Sequence, residues 1–598
     1  MIRNEYPRPQ FVRKDWINLN GEWDFTYDDE NKGLKEKWYL SDKLFDKKIE
    51  VPYVYQSKLS GINDQGNHET VWYKKEFTLP DGYKEKELIL HFGAVDYYAE
   101  VFINGHKAGE HKGGHTSFSL DITPYITGNE EIIVIRVHDP RTNEMIPRGK
   151  QIWEEKPLGI WYTNTTGIWQ SVWIEPVNEN HIQSIYFTPD IDSGQVQVKT
   201  YLNGTVENKK IEYTVSFKEK TIIKTTFDLY SSIHTASFDI HQKTIFRTSH
   251  HHNGWHWTPE TPNLFDVEIK LLENENILDN VKSYFGMRKI HTENGLVYLN
   301  NKPYYQKLVL DQGYWPESLM TAPSDNALKY DIEISKEMGF NGCRKHQKVE
   351  DPRFLYWADK LGFLVWGESA SAQFFDESSV PLATNEWLEI IKRDYNHPSI
   401  VTWVPFNESW GVNDIGRDKQ QQHYSLGLYH LIHSLDTTRP VISNDGWEMT
   451  RSDIGAVHHY GHGEAEEREK YEKFKFDIRI LDAILDSKSA NRSIYASGFS
   501  HQGEPILLTE FGGIGYKKGE QEGWGYSSVD NEEQFLSEYK RVIEAVYDSE
   551  VIAGFCYTQL YDVEQEINGL LTYDRNPKAD VSKVKEINNS PHFKFKKG

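Results

Sequence analysis

Along residues 1–180 apolar and polar positions alternate in short runs: GEWDFTYDD from Gly21, VWYKKEFTLP from Val71 and EIIVIRVHDP from Glu131. Each is cut off by Gly, Asn, Asp or Pro. A period of two built from β-branched and aromatic residues predicts strands that bury one face. In KELILHFGAVDYYAEVFING, from Lys86, Asn104-Gly105 ends such a run and predicts a hairpin. The economical reading is an antiparallel, jelly-roll-like β-sandwich. Residues 181–287 carry the same pattern in QVQVKTYLNG from Gln195, IEYTVSF from Ile211 and LFDVEIKLL from Leu264. Their length suits an immunoglobulin-like β-sandwich.

Over residues 288–598 the pattern changes to apolar strands alternating with helical stretches, which predicts a parallel sheet. Eight strands are expected, at 304–310, 340–344, 363–367, 401–406, 440–443, 454–459, 506–509 and 552–557. Eight is the number that closes a (β/α)8 TIM barrel. Helix ends are legible between them. Ser324 is placed to cap a helix that carries Leu328 and Ile332 one turn apart and stops at Gly339. Pro352 begins the next, which Gly362 closes, and a third spans 386–395 before His397-Pro398. The run EAEEREKYEKFK, between the sixth and seventh strands, reads as a solvated helix face.

Two strands deliver carboxylates. In VTWVPFNESWG, from Val401, Pro405 ends the pairing and sets Asn407 and Glu408 just past the strand. PILLTEFGG, from Pro505, places Glu510 the same way. Parallel barrel strands all end on one face, so both acids are expected there together, and a carboxylate pair is what cleaves a glycosidic bond. Asn407 is placed to hydrogen-bond a sugar hydroxyl.

Composition agrees with a sugar ligand and narrows the partners. The 18 Trp, 35 Tyr and 28 Phe supply flat faces for sugar rings as well as β-rich cores. A formal charge of −23 opposes binding to nucleic acid or an anionic membrane. Cys343 and Cys556, the only cysteines, sit inside apolar runs and are expected as buried core residues, not a disulfide. The segment MIRNEYPRPQFVRKDW has no apolar h-region, so a cytoplasmic location is expected. His346, His458 and His459 lack ligand spacing such as HExxH, and no metal or cofactor is expected.

With these motifs in hand, the chain resembles glycoside hydrolase family 2, the family of β-galactosidases, β-glucuronidases and β-mannosidases. The resemblance lies in RPQFVRKDWINLNGEWDF from Arg8, GAVDYYAEVFINGHKAGEHKGGHTSFSLDIT from Gly93, TTGIWQSVWIEPV from Thr165 and YFGMRKI from Tyr284, and runs to about Lys578. It implies that Glu408 is the general acid/base and Glu510 the nucleophile of a retaining, exo-acting enzyme with a covalent glycosyl intermediate. Some members use magnesium. NGCRKHQKVEDPRF, from Asn341, resembles the family's Asn-x-x-Arg strand and implies that Arg344 lies near the nucleophile. His346 stands one residue earlier than the histidine of many members. His458 matches a histidine that reaches the sugar in related sequences, with Tyr460 nearby.

Substrate choice is where the chain departs from its relatives. Asp311 and Gln312 replace the Asn-Arg/Lys-His end of the first strand, and Trp315, Trp366, Trp410 and Trp524 are stacking candidates. Glu566 and Asn568 replace the Asn-x-Lys pair with which glucuronidases hold the sugar carboxylate, so a uronate is expected to be repelled. The expected substrate is a small, neutral β-glycoside: a β-galactoside first, with β-mannosidase or arabinopyranosidase activity as alternatives. Family members often assemble, so a homo-oligomer is also expected. A non-catalytic carbohydrate-binding protein on the same fold would lack Glu408 or Glu510, and both are present.

Overall fold

The computed structural model describes residues 3–41, 45–128, 130–240, 254–519 and 522–591. Two antiparallel sheets form the first module. A six-stranded sheet runs Lys47–Val51, Gly21–Tyr27, Thr70–Thr78, Glu130–His138, Tyr98–Ile103, His106–Lys112. A four-stranded sheet with Val172–Val177 and Glu87–Phe92 at its centre faces it. Every second residue points inward, so Trp23, Phe25, Val71, Tyr73, Ile133 and Ile135 fuse into one core. The Asn104-Gly105 hairpin forms as expected, between Tyr98–Ile103 and His106–Lys112, with both residues at positive φ.

The second module packs the sheet His181–Asp190, Gln195–Asn203, Ile233–Asp239 against four strands centred on Lys209–Phe217 and Phe265–Glu273. Its core is separate, with Ile211, Tyr213, Phe265 and Ile269 fully buried. Three strands on four is the immunoglobulin-like arrangement.

The third module is the barrel. Its parallel sheet has the order Ile400–Val404, Leu364–Glu368, Gly342–Lys345, Gln306–Asp311, Ile552–Tyr557, Ile506–Glu510, Gly455–His458. The first strand thus lies between the second and the last. The fifth expected strand differs from expectation: 440–443 makes no ladder and touches the fourth through a single bridge, Trp403 to Val441. Its backbone still reaches the fourth strand, the Ile442 N–H donating to the Trp403 carbonyl at 3.0 Å and the Asp445 N–H to the Phe406 carbonyl at 2.8 Å. Asn444 Oδ1 accepts from the Ser409 N–H, and the circle closes through the His458 N–H to the Gly446 carbonyl at 3.3 Å.

The first two barrel helices match expectation. Asp325–Glu337 is capped by Ser324, which accepts from the Ala327 N–H, and Gly339 follows it at φ +89°. Pro352–Leu361 ends at Gly362, φ +73°. The third, Ser379–Asp394, starts seven residues earlier than read, because Pro381 falls in its first turn, where no N–H is needed. The charged run continues into the helix Arg468–Arg479, and its solvated reading holds for one face only: Phe474 and Ile478 are fully buried. Cys343 and Cys556 are buried and unpaired. Among the described residues no helix is long and apolar enough to cross a membrane.

Candidate active site

Glu408 leaves the fourth strand in an unusual conformation. Its φ is +51° and that of Ser409 +60°, a region bulky residues avoid unless their surroundings impose it. Here they do: the Glu408 N–H donates to the Asp445 carbonyl at 2.9 Å, and the Ser409 N–H to Asn444 Oδ1 at 3.0 Å. The carboxylate is thereby turned into the barrel mouth, where His458 Nδ1 lies 2.9 Å from Oε1.

Glu510 ends the seventh strand and is 5% exposed. The Tyr460 hydroxyl donates to Oε2 at 2.7 Å and Arg344 Nη1 to Oε1 at 3.1 Å, while His458 Nδ1 is 3.4 Å from Oε2. One nitrogen therefore faces both carboxylates. Ligand atoms of Glu408, His458 and Glu510 all lie within 4.8 Å of one another.

Arg344, fully buried on the second strand, ties the floor together. Nε donates to Glu368 at 3.0 Å and stands 3.4 Å from Asp445; Nη2 donates to Asn407 Oδ1 at 2.7 Å and meets His346 Nδ1 at 3.0 Å. Four carboxylates, Glu368, Glu408, Asp445 and Glu510, thus share two cations, Arg344 and His458. Burial pushes the Glu368 carboxyl up to about 7 in spite of Arg344. Burial also opposes charge on His458, but the charge of Glu510 and the bonds to Asp445 and Glu408 overrule it and raise the imidazole to about 10. His458 accordingly holds two protons, one toward Glu408 and one toward Asp445, whose Oδ1 is 3.0 Å from Nε2. Burial raises the Glu408 carboxyl as well, yet the bond and charge of His458 reverse this and hold it below its ordinary value. His346 is the opposite case: burial keeps it far below the usual imidazole value, hence neutral and able to accept from Arg344.

The remaining expected residues divide. Asn407 is buried beside Arg344, and its Nδ2 has no acceptor among the described residues. Tyr460 stacks on Tyr526 at 3.6 Å. Asp311 is engaged elsewhere, with Lys345 at 2.8 Å and the Gly313 N–H at 2.9 Å. Gln312 donates to Gln559 Oε1 at 2.9 Å, and Gln559 to Asn568 Oδ1 at 2.7 Å. Asn568 in turn donates to Glu566 at 3.0 Å, and the Tyr162 hydroxyl of the first module donates to the same carboxylate at 2.6 Å. Trp315 is 4% exposed with the Lys348 ammonium and Arg575 guanidinium over its ring, and Trp366 is an interior residue bonded to Gln306. Trp410 meets Trp161 edge to face at 4.9 Å, and Trp524 bonds the Gly159 carbonyl, both on the side of the first module. His459 turns away to Asp477.

Sequence reasoning passed over Glu368 and Asp445. Glu368 carries the same signal as Glu510, an acid at the end of an apolar strand; Asp445 follows the segment that makes no ladder. Missed too was a loop of the first module, residues 139–166, that enters the barrel mouth. The N–H groups of Arg148 and Gly149 both donate to the Ser371 carbonyl at 3.1 Å, and the Gln373 N–H to the Glu144 carbonyl at 2.8 Å. Gly149 has φ +61° and lies so close to the Gln347 carbonyl that a Cβ would overlap it. Outside the carboxylates opens a cavity of about 510 Å³, bordered by Glu408, Trp447, Tyr460, Lys473, Lys488 and Tyr526.

Glu408, His458 and Glu510 are the group among the described residues that lies close enough to hold a metal ion. Nδ1 of His458 lies 2.9 Å from Glu408 and Nε2 3.0 Å from Asp445, so the imidazole stands within hydrogen-bond range of a carboxylate on either side.

Comparison with known proteins places this geometry. Residues 17–174 match the sugar binding domain of glycosyl hydrolases family 2, residues 180–288 the family model described simply as glycosyl hydrolases family 2, and residues 290–593 the family's TIM barrel domain. A β-galactosidase of Thermoanaerobacter pseudethanolicus is 30% identical over 438 residues, covering 71% of this chain and 55% of the relative. A putative β-glucuronidase of Formosa agariphila is 27% identical over 450 residues, covering 73% and 51%. The chain spans about half the length of these relatives. Among solved structures, a β-glucuronidase from Ruminococcus gnavus in complex with D-glucaro-d-lactam superposes with a TM-score of 0.78 at 20% identity, covering 98% of this chain and 100% of the other. With all three of its modules matched in order, the chain belongs to glycosyl hydrolases family 2.

Proposed function

We propose that this chain is a retaining, exo-acting β-glycoside hydrolase, with Glu510 as nucleophile and Glu408 as general acid/base. One observation carries the reading: Glu408 and Glu510 converge on a single imidazole nitrogen at 2.9 and 3.4 Å, with ligand atoms within 4.8 Å. That spacing suits the roughly 5–5.5 Å of double displacement and is short of the roughly 6.5–9.5 Å that leaves room for an inverting water. The three modules are taken as residues 1–180, 181–287 and 288–598.

In this reading Glu510 attacks the anomeric carbon while Glu408 protonates the leaving oxygen. Glu408 then takes a proton from water, which attacks the same carbon. Arg344 and the Tyr460 hydroxyl both donate to Glu510 and hold it aimed. Glu408 must begin protonated, and His458 has a proton 2.9 Å away. As a sugar expels water, its transfer turns a buried ion pair into two neutral groups, which a low dielectric favours. Asn407 Nδ2, which has no acceptor among the described residues, is the donor for a sugar hydroxyl. Following the product anomer by NMR before mutarotation should show retention; inversion rejects Glu510 as nucleophile.

For the glycone the reading is a neutral sugar, a β-galactoside first, with β-mannoside and arabinopyranoside behind it. Glu566, bonded by Tyr162 and Asn568, sets a carboxylate at the rim where a uronate needs a cation. A β-glucuronide is the second reading, favoured by the names of several relatives. A panel of p-nitrophenyl β-glycosides decides between them, with kcat/KM for the galactoside expected roughly tenfold or more above the glucuronide. A glucuronide hydrolysed fastest sinks the neutral glycone. Sugar binding without cleavage of any member would make the chain a binding protein.

A further inference from the structure

Lys150 is out of keeping with the other buried lysines of the molecule. Lys74, Lys209, Lys345, Lys348 and Lys578 each lie within 3.3 Å of a carboxylate. Lys150 is 6% exposed, and among the described residues no carboxylate is in ion-pair range of its ammonium. It lies instead over the rings of Trp161 and Tyr162, at 5.3 and 5.7 Å from their centres. Aromatic faces moderate the cost of burying a cation but do not neutralise it.

Its position is fixed from both sides. Gly149, at φ +61°, is pressed against the Gln347 carbonyl of the barrel, and the Lys150 carbonyl accepts from the Tyr162 N–H at 2.8 Å. The stem that follows is thereby aimed at the barrel mouth, and the charge it carries bears on Glu408 and His346. Trp161, under the ammonium, meets Trp410, two residues beyond Glu408, and the buried Trp410 Nε1 has no acceptor among the described residues. A cation with no ion-pair partner among the described residues and a buried N–H donor are thus linked through Trp161 on the side of Glu408.

We infer that Lys150, with Trp410 Nε1, forms a leaving-group subsite for an anionic saccharide, one that carries a carboxylate or a sulfate. The inference rests on Glu408 being the acid that protonates the leaving oxygen, since this puts the neighbouring cation on the leaving-group side of the cleaved bond. It separates two demands on charge: Glu566 rejects an anion on the glycone, and Lys150 attracts one on the residue next to it. The excess negative charge of the chain makes the second demand specific, because an acid enters only where a local cation offsets the general repulsion.

The test uses aryl β-glycosides of whichever glycone the panel identifies, in pairs that differ by one charge: 4-carboxyphenyl against its methyl ester, and 4-sulfophenyl against its sulfonamide. In the wild type the charged member is expected to have the higher kcat/KM, by roughly tenfold, the scale of one charge-assisted contact. The pair with the larger ratio tells carboxylate from sulfate. In Lys150→Gln the ratio should fall to about one, and Lys150→Arg should restore part of it. A wild-type ratio near one in both pairs, or a ratio unaltered in Lys150→Gln, overturns the inference. Calorimetric binding of the same pairs to Glu510→Gln makes the comparison without turnover. Tighter binding of the acids by a protein that cleaves nothing removes the double-displacement reading and keeps the subsite; turnover without charge preference does the reverse.

Discussion

Arg344 and Lys345 are neighbours on one barrel strand, and alternation sends them into two different charge clusters. Around Lys345, two cations meet two acids: Lys345 bonds Asp311 at 2.8 Å and Glu350 at 2.9 Å, and Lys348 bonds Glu350 at 3.0 Å. Burial opposes charge on Glu350, yet the two lysines hold its carboxyl down at about 2. Charge there is balanced and closed. Around Arg344 four acids share two cations, one acid is raised to about 7, and the Asn407 amide nitrogen has no acceptor among the described residues. A cluster serving stability balances itself; one serving chemistry leaves charge and donors for a ligand to complete.

The sharpest way to break this contrast is Glu510→Gln. The substitution keeps the shape of the side chain and should cost activity on the order of 10⁴-fold or more, as removal of a covalent nucleophile does. Full activity would make the Arg344 cluster structural as well. Glu408→Ala should slow phenols of high pKa by about 10²–10⁴-fold and activated ones far less. Equal losses on both would remove proton donation from its role. On the closed side, Lys345→Met leaves Asp311 and Glu350 short of a cation and should destabilise the fold by about 3–5 kcal/mol, read as a lower thermal midpoint. The product anomer and the dependence on leaving group should be those of the wild type, and a change in either would merge the two clusters.

Stability against pH reports on the Arg344 cluster as well. His458 is raised from 6.5 to about 10, so between those values the folded protein binds more protons than the unfolded chain. The stability it contributes is complete below 6.5 and lost as pH rises toward 10, by about 1.4 kcal/mol per pH unit for one proton. Glu368 acts in the same direction between 4.5 and about 7, since ionising it in the fold is costly. Thermal midpoints should therefore fall from pH 6.5 to 10, and the fall should flatten in His458→Gln. A midpoint that rises across this window contradicts the doubly protonated imidazole.

Most of the architecture was legible because it depends on periodicity, which is local. The period-two runs, the Ser324 cap and the glycines at 339 and 362 each name their structure through neighbouring residues. The fifth strand escaped because Asn444 and Asp445 serve Ser409 and His458, partners that no local pattern reveals. That Glu408 and Glu510 lie together was legible from their places at strand ends. Asp311, read from the same kind of place as a substrate contact, is bonded to Lys345, because the residue after an inward-facing one points outward. Lys150 lies in a different module, more than 250 positions before Glu408 in the chain, and no spacing rule connects the two.

The loop at 139–166 also sets the limits of what can be detached. Its backbone bonds to Ser371 and Gln373 make the first sandwich a component of the barrel mouth. A barrel expressed from residue 288 onward would keep both carboxylates and lose Lys150, Trp161 and Tyr162. For engineering, the unit to transplant or evolve is the barrel together with that sandwich, and substitutions in the loop at 139–166 are a route to altered selectivity that leaves the carboxylate pair untouched.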